Sequence, residues 1–594
     1  MFDGAARENQ SPWADVLWLL ALALLLIATG IGLRDPWPAD EPRFALVARD
    51  MVATGDWLLP RVGGQPYADK PPLFFWLIAL GLTLTHSLRL AFLLPSFLAG
   101  FGCAALVYDL GRRLWNRETG IAGALALLFT VQFVWQARQA QIDATLCFWT
   151  TLSLYGLLRH LLLGPSWRWY TIGWAAAGLG VITKGVGFLP LLVLVPFAIL
   201  RDQKWQPRMR NGDIPHFPTD SALATQRLEM RNVPISRWLL GPLAFLAAVS
   251  IWLIPMLIAA NNDPSLAAYR DEILFNQTVK RYGSAWHHRE PFWYFLVDVI
   301  PGLWLPLTLL VPWLFSHWRS ALRSFDLRIA LLASWIILVV LFFSLSTGKR
   351  GVYVLPAVPA FALLCAPYLK QVASRLSAQR ALFVLASLVG AVSVLALLFL
   401  VIRPDKHAEA IASIDIDPLG PLALIAIAAA VVCAIARPRR GFLAYAGVLA
   451  TSLLIVSFWV NPQMNDARSG ATFVALIEQT ADPRQELGLV AFKEQYVLNA
   501  RRSIVHFGHA RWREAEQEMA DAALWLSEKP GRQLLINDYA RTKCFSNAAV
   551  QSLGSANRSE WFLVSGGADQ SCVARGKPGI AHNYLPPGGT RLSS

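Results

Sequence analysis

The chain has 594 residues, of which 55% are apolar and only 15% are charged, and its mean hydropathy is +0.43. This composition excludes an ordinary soluble enzyme and indicates a polytopic α-helical membrane protein. The net charge of +14 is expected to lie mainly in cytoplasmic loops, because Lys and Arg accumulate on that side of membrane proteins. We therefore predict no nucleic-acid partner.

The apolar segments, taken in chain order, predict about thirteen membrane crossings, because most are long enough to cross a hydrocarbon core of roughly 30 Å. Keeping the basic clusters in the cytoplasm places the N-terminus inside and the C-terminus outside. The N-terminal segment lacks a basic n-region and a small-residue cleavage site, so it is expected to be a retained signal anchor. The predicted crossings are residues 13–33, 88–111, 119–135, 145–163, 169–183, 186–200, 239–260, 292–315, 329–345, 352–369, 382–401, 419–436 and 441–460.

The apolar run 71–85 is shorter and begins with Pro71-Pro72. We predict that it is re-entrant or interfacial and does not cross. Residues 34–87 then form the first outer loop with juxtamembrane helices. We predict two domains, a transmembrane domain, 1–460, and a soluble α/β domain outside, 461–594, in which segments with helical and strand patterns alternate.

Cysteine usage agrees with this sidedness. Cys544 and Cys572 both lie in the predicted outer domain, where oxidising conditions permit a disulfide between them. The sequence leaves open the alternative that both stay free. The other four cysteines lie in apolar segments and are expected to be packing residues.

Polar residues beside the apolar segments fall mainly on the predicted outer face. Acids, strong cations and tyrosines at one membrane interface suit an anionic, lipid-linked substrate that arrives through the bilayer. The simpler interpretations are a solvated acid, a lysine anchored at the interface and a histidine pair in a solvated loop. The residues concerned are Asp40, Glu41, Tyr67, Asp69, Lys70, Arg138, Asp143, Lys184, Arg281, His287, His288, Lys349 and Tyr353.

Several motifs carry a resemblance to a known family. The first loop contains DEPRFA (40–45), ARDM (48–51), GDW (55–57) and GQPYADKPPLFFW (64–76), and later segments contain ARQAQIDA (137–144), TKG (183–185) and SLSTGKRGVYVLPAVPA (344–360). This pattern resembles the bacterial GT-C glycosyltransferases, in particular the lipid A 4-amino-4-deoxy-L-arabinose transferases and their protein-mannosyltransferase-like relatives. The resemblance covers about the first 370 residues.

The resemblance implies a GT-C-like fold and inverting transfer of a sugar from a polyprenyl phosphate. Asp40 and Asp143 match the family's two essential acids, and the adjacent Glu41 is a third catalytic candidate. The donor phosphate is expected to be bound by Lys70, Arg281, Tyr353 and Tyr67. Candidates for sugar or acceptor contacts are Asp69, Arg138, Lys184, His287, His288 and Lys349.

One stretch departs from the family's pattern. Relatives often have Glu-His shortly before the arginine of the phosphate clamp, whereas this chain has Phe275-Asn276-Gln277. A metal or proton role for that histidine is therefore in doubt. No cofactor is required by the predicted chemistry, and a divalent metal is left open.

The resemblance also implies the partners and the location. The expected partners are an undecaprenyl-phosphate sugar donor, lipid A or another envelope acceptor, and the bilayer, with the protein acting as a monomer in the bacterial inner membrane and the active site in the periplasm. Aminoarabinose is the first candidate sugar, and hexosyl transfer of the protein O-mannosyltransferase kind is the alternative. A lipid or solute transporter is the alternative from another class, but it would place ionisable groups in mid-membrane, whereas here they lie beside the spans.

Overall fold

The computed structural model describes residues 12–200, 234–275, 289–509 and 511–589. Within these ranges, the regular structure up to Thr480 is helical except for one short hairpin, and a mixed α/β domain follows. The polytopic α-helical fold with a C-terminal α/β domain is therefore confirmed. Three of the predicted site residues, Arg281, His287 and His288, lie outside the described residues.

Each predicted crossing coincides with helical structure in the described part of the chain. The helical segments of the membrane region are Pro12–Ala23, Leu24–Ala28, Leu88–Ala91, Leu94–Leu114, Arg117–Leu128, Val131–Ala137, Ile142–Leu162, Trp167–Val181, Gly185–Val193, Leu194–Leu200, Ile235–Trp238, Leu240–Asn262, Pro264–Leu266, Ala267–Asp271, Phe295–Val299, Ile300–Leu303, Thr308–Leu310, Val311–Arg323, Leu327–Leu345, Gly351–Ala357, Val358–Ala373, Leu376–Ile402, Pro404–Ile414, Leu419–Ala436, Pro438–Arg440, Gly441–Ile455 and Val456–Val460.

Length and composition separate these helices into groups. Within the described ranges, seven are long and apolar enough to cross a membrane, or nine if each of two sharply bent pairs is one span. The bent pairs are Arg117–Leu128 with Val131–Ala137, at 69°, and Phe295–Leu303 with Thr308–Arg323, at 99°. Shorter apolar helices occupy Pro12–Ala28, Leu73–Thr85 and Gly185–Leu200. The count of about thirteen crossings stays a prediction.

The first loop folds into a helix, a hairpin and a second helix. The helix Glu41–Thr54, called the site helix below, begins after Asp40 and ends at Gly55, whose φ of 73° is the left-handed conformation typical of a helix C-terminus. Strands β1 (Arg61–Val62) and β2 (Gln65–Pro66) form the antiparallel hairpin. The helix Leu73–Thr85 has 13 residues, which gives a length of about 20 Å, too short to span the core. Its re-entrant or interfacial placement stays a prediction.

The soluble domain is built on a six-stranded sheet. Its strands are β3 (Glu486–Leu489), β4 (Ile504–His506), β5 (Arg532–Asn537), β6 (Val550–Ala556), β7 (Ser559–Val564) and β8 (His582–Tyr584), in the order β6-β7-β5-β3-β4-β8. Strand β3 is parallel to β4 and β5, and the remaining pairs are antiparallel. The helical segments of this domain are Asn461–Ser469, Ala471–Thr480, Glu494–Asn499, Arg511–Glu514, Ala515–Glu528, Asp538–Cys544 and Gln570–Val573.

Of the two alternatives that the sequence left open, the structure contains the disulfide between Cys544 and Cys572. Cys544 ends one helix and Cys572 lies in another, with 5.7 Å between their Cα atoms. Both side chains are buried beneath the sheet. The other four cysteines are free and at least partly buried, as expected for packing residues.

The soluble domain packs directly on the first loop. Phe44 and Phe74 of the loop belong to the same buried cluster as Leu487, Tyr496 and Trp561 of the domain. The helical segments Gly441–Ile455, Val456–Val460 and Asn461–Ser469 follow one another without a break. The predicted domain boundary at residue 460 therefore lies within continuous helical structure. The loop and the domain therefore share a hydrophobic core, which fixes the position of the site helix between the membrane region and the sheet.

Candidate active site

Asp40 lies between two arginines at the start of the site helix. Its carboxylate is 3.8 Å from Arg43 NH1 and 3.5 Å from Arg350 NH2, and its side chain is 24% exposed. These two arginines are its ion-pair partners among the described residues. Both distances are longer than those of a charge-assisted hydrogen bond, which are about 2.7–2.9 Å. The carboxylate of Asp40 is therefore flanked by two guanidinium groups and stays partly accessible to a substrate.

Glu41 has a different environment although it is the next residue. It is buried and paired with Arg34, whose second guanidinium nitrogen lies 2.8 Å from Glu41 Oε1. The backbone N–H groups of Trp37 and Ala140 also donate to it, at 2.9 and 3.0 Å. Glu41 accepts all of these hydrogen bonds and so holds backbone in place, and the catalytic role predicted for it stays a prediction.

Asp143 forms a tight group with two other predicted site residues. Lys184 Nζ lies 2.5 Å from Asp143 Oδ1, and each side chain is 13% exposed. The same ammonium lies 4.4 Å from the centre of the Tyr353 ring, a cation–π arrangement. Asp143 is in the first turn of Ile142–Leu162, Lys184 precedes Gly185–Val193, and Tyr353 is in Gly351–Ala357. Three separate segments thus meet at one ammonium group.

A single short segment joins the two groups of charges. Arg350 reaches Asp40, and Tyr353 lies against Lys184. The Lys70 segment is adjacent, because the N–H of Leu73 donates to the Ile182 carbonyl at 3.2 Å. Lys70 Nζ donates to the Asp69 carbonyl at 3.0 Å. The described residues predicted as the acids and the phosphate clamp therefore lie on neighbouring segments.

Tyr67 lies beside Arg43 of the site helix. It is buried, and the Arg43 guanidinium carbon is 5.9 Å from its ring centre. Burial raises the pKa of Tyr67, and the nearby Asp69 carboxylate adds to the rise. The phenol is therefore neutral at physiological pH and retains its proton as a hydrogen-bond donor.

Arg138 and Lys349, two residues predicted to contact the sugar or the acceptor, donate mainly to backbone carbonyl oxygens. Arg138 is half-buried and donates to Leu26 O at 2.5 Å, Thr29 O at 3.1 Å and the Ser457 hydroxyl. It joins the first and last apolar helices to the turn before Asp143. Lys349 Nζ donates to the carbonyls of Glu290 and Ser346, at 2.8 and 2.7 Å. Arg138 and Lys349 thus bind backbone oxygens in this structure, and their predicted contacts with a sugar or an acceptor stay predictions.

Three residues that the sequence did not single out as site residues belong to this region. Arg43 and Arg350 flank Asp40, and Glu494 of the soluble domain pairs with Arg43 at 2.7 Å. The i,i+3 spacing of Asp40 and Arg43 on a helix could have indicated the first of these pairs. Nothing in the sequence pattern indicates Glu494, because its contact depends on how the soluble domain packs.

The described residues contain no group of three or more His, Cys, Asp and Glu side chains placed to hold a metal ion. The ionic groups of the site are instead lysines and arginines paired with carboxylates. Such an arrangement can bind a phosphate and stabilise negative charge as it develops. Metal dependence stays untested.

Comparisons with known proteins agree with this architecture. The sequence model of the family described as dolichyl-phosphate-mannose-protein mannosyltransferase matches residues 69–217. The structure aligns with the crystal structure of ArnT from Cupriavidus metallidurans bound to undecaprenyl phosphate, with a TM-score of 0.69 and 20% identity over 96% of this chain and 100% of that one. The chain has the GT-C fold.

Sequence relatives point to the same group. The chain is 31% identical to an undecaprenyl phosphate-alpha-4-amino-4-deoxy-L-arabinose arabinosyl transferase of Pseudomonas fluorescens and 30% identical to one of Pseudomonas aeruginosa. Each match covers 58% of this chain and 58% of the relative. The matched part thus spans rather more than half of the length of these relatives. The resemblance predicted from the motifs is confirmed.

Proposed function

We propose that the protein is an inverting glycosyltransferase that moves a sugar from undecaprenyl phosphate to lipid A or another envelope acceptor. The observation that carries this proposal is the environment of Asp40, whose carboxylate lies between two arginines, is partly exposed and makes no short hydrogen bond among the described contacts. The names of the sequence relatives, which are arabinosyl transferases, support this donor class.

The cations of the site suit the donor phosphate. In the transfer, the bond between the sugar C1 and the phosphate oxygen breaks, and both electrons stay on the phosphate. Lys70 and Tyr353, with Tyr67 as a neutral donor, are the groups proposed to hold the developing charge. Arg281 is retained as a candidate for the same clamp, although it lies outside the described residues.

The acceptor oxygen attacks C1 from the face opposite the phosphate, which inverts the anomeric centre. If the acceptor is a hydroxyl, its proton passes to the Asp40 carboxylate as general base. If the acceptor is a lipid A phosphate, its oxygen is already nucleophilic and carries no proton to remove. In that case Asp40 orients the sugar or stabilises positive charge on its ring.

Asp143 and Lys184 are proposed to bind the sugar. Their 2.5 Å pair presents a carboxylate and an ammonium that a polar sugar can contact together. Asp69 is exposed beside Lys70 and is a further candidate for a contact with the amino group of a cationic sugar. The predicted contacts of His287 and His288 stay proposals outside the described residues.

We place the reaction on the periplasmic side of the inner membrane. The disulfide Cys544–Cys572 supports an oxidising compartment for the soluble domain, because disulfides persist there and are rare in the cytosol. The first loop shares a core with that domain. The site helix and Asp40 are therefore expected on the same side as the disulfide.

Mannosyl transfer is the second candidate. It is favoured by the family match over residues 69–217, whose description names a mannose donor and a protein acceptor. The two candidates differ in the donor sugar and in the acceptor, and they share the use of a polyprenyl phosphate. A donor series therefore distinguishes them.

The test uses purified full-length protein in detergent with undecaprenyl-phosphate-linked aminoarabinose or mannose, and with lipid A or a peptide. Transfer is followed by mass spectrometry. We expect one donor to be consumed with release of undecaprenyl phosphate, and we expect Asp40→Asn and Lys70→Ala each to abolish transfer while leaving expression intact. Asp56→Asn is the matched control, because Asp56 lies on the same loop, pairs with Arg61 at 3.4 Å and is similarly accessible.

Near-normal turnover of both Asp40→Asn and Lys70→Ala would refute the site assignment. No consumption of any polyprenyl-phosphate sugar by active, folded protein would refute the function. Movement of intact lipid across a proteoliposome membrane without transfer would favour the transporter alternative.

A further inference from the structure

We propose that Glu494, a residue of the soluble domain, is a positioning residue that holds Arg43 away from Asp40. Arg43 Nε and NH2 both lie 2.7 Å from Glu494 Oε1, whereas its NH1 is 3.8 Å from Asp40 Oδ1. The guanidinium is therefore engaged by Glu494 and only adjacent to Asp40. The proposal rests on the proposed function, in which Asp40 meets the substrate.

The surroundings of Arg43 fix this orientation. Its side chain is 26% exposed, and that of Glu494 is 14% exposed. The Tyr67 ring lies to one side of the guanidinium, and Asp40 is one turn earlier on the same helix. Arg43 is thus confined between a ring and two carboxylates, and its short pair is with the carboxylate from the soluble domain.

The consequence concerns the availability of Asp40. A guanidinium and a carboxylate form short, two-pronged hydrogen bonds when both are free to do so. If Glu494 loses its charge, Arg43 is free to turn onto Asp40 and occupy the oxygens that a substrate would use. Arg350 already pairs with the other oxygen of Asp40, at 3.5 Å, so a second close arginine would leave both oxygens engaged.

This arrangement gives the soluble domain a role in the reaction. Glu494 begins the helix Glu494–Asn499, whose Leu498 carbonyl accepts a hydrogen bond from Arg49 on the site helix at 2.5 Å. The position of that helix therefore sets the position of Glu494. Docking of the domain and the state of Asp40 are coupled through one ion pair.

The simpler interpretation is that Glu494 only helps the domain to dock. Tyr584 provides the matched control, because its hydroxyl donates to Asp50 at 2.6 Å and accepts from Arg49 at 3.0 Å. These bonds join the same domain to the same helix, but at the end far from Asp40. A pure docking role predicts similar effects of Glu494→Gln and Tyr584→Phe.

The experiment compares the transfer kinetics of Glu494→Gln, Arg43→Gln, the double variant and Tyr584→Phe in the full-length protein. A freed arginine that captures Asp40 makes a charge-assisted bond, so kcat of Glu494→Gln should fall roughly 10- to 100-fold. The KM for the donor should change little, and the melting temperature should shift no more than in Tyr584→Phe. The kcat of the double variant should equal that of Arg43→Gln and exceed that of Glu494→Gln, because a neutral side chain at position 43 cannot form an ion pair with Asp40.

A double variant no more active than Glu494→Gln would overturn the inference, and so would equal kinetics for Glu494→Gln and Tyr584→Phe. Absence of transfer by the wild-type protein would instead refute the proposed function. The two failures are therefore distinguishable in one set of measurements.

Discussion

Three neighbouring carboxylates of the site differ in what surrounds them, and this difference supports different proposed roles for them. Asp40 has two arginines at 3.5 and 3.8 Å, Asp143 has one ammonium at 2.5 Å, and Glu41 is buried with Arg34 and two backbone N–H groups. The adjacent letters Asp-Glu do not distinguish the partly exposed acid from the buried one. Packing against Ala140, from a distant segment, makes the distinction.

The buried pair of Glu41 and Arg34 leads to a prediction about stability. Breaking a buried ion pair by removing one charge costs about 3–5 kcal/mol, so Glu41→Gln should lower the melting temperature in detergent far more than Asp40→Asn. The double variant Arg34→Met/Glu41→Gln should recover part of the loss, since no unpaired charge remains. A melting temperature of Glu41→Gln equal to that of the wild type would contradict this interpretation.

Tyr353 offers a prediction about donor binding. Tyr353→Phe keeps the ring beside Lys184 Nζ and removes only the hydroxyl proposed to bind the donor phosphate. Loss of a hydrogen bond to a charged group should raise KM for the donor roughly 10-fold or more, with an unchanged melting temperature. Steady-state kinetics at several donor concentrations measure this. An unchanged KM would remove Tyr353 from the phosphate clamp.

At the scale of elements, a hydrogen bond from His506 of strand β4 joins the sheet to the hairpin β1–β2 of the first loop. His506 is buried, its Nε2 lies 2.8 Å from the Gly63 carbonyl oxygen, and its Nδ1 accepts from the Gly508 N–H at 3.2 Å. These partners require a neutral ring that donates from Nε2. Gly63 has a φ of +59°, and a Cβ there would lie 2.8 Å from His506 Nε2, so both geometry and space require glycine at this position.

This contact predicts a dependence of stability on pH. Burial lowers the pKa of His506 to about 4, whereas an unfolded histidine titrates near 6.5. Between these values the unfolded chain binds more protons, so stability falls as pH falls, by roughly 2 kcal/mol from pH 7 to pH 5. The melting temperature should fall less between pH 7 and pH 5 in His506→Gln than in the wild-type protein. An equal fall in both proteins would contradict a neutral His506 in the folded state.

The sequence predicted most helices and several strands of this fold, and the reasons differ by element. Long apolar runs coincide with the helices of the membrane region, and short apolar runs, the pattern typical of strands, coincide with Glu486–Leu489 and Ser559–Val564. The strand Val550–Ala556 was missed because its exposed edge position allows a polar sequence. The roles of Glu41, Arg138 and Glu494 could not be predicted, because each depends on partners more than ninety positions away in the chain.

At the scale of the whole molecule, the soluble domain is part of the site and is stabilised by its own crosslink. The disulfide joins residues separated by 28 positions, and closing such a loop contributes roughly 3–4 kcal/mol in the chain-entropy description. The double variant Cys544→Ser/Cys572→Ser should therefore melt at a lower temperature but retain transfer at 25 °C, because the crosslink lies away from Asp40. A folded double variant that no longer transfers sugar would contradict the claim that the disulfide affects stability only.

The most direct test of the account is the stereochemistry and stoichiometry of a single turnover. Full-length protein would be mixed with a donor labelled with ¹³C at C1, and the product's anomeric configuration would be determined by NMR while released undecaprenyl phosphate is measured by mass spectrometry. The account predicts an inverted anomeric centre and one undecaprenyl phosphate released for each sugar transferred. Retained configuration, or sugar transfer without release of undecaprenyl phosphate, would contradict it.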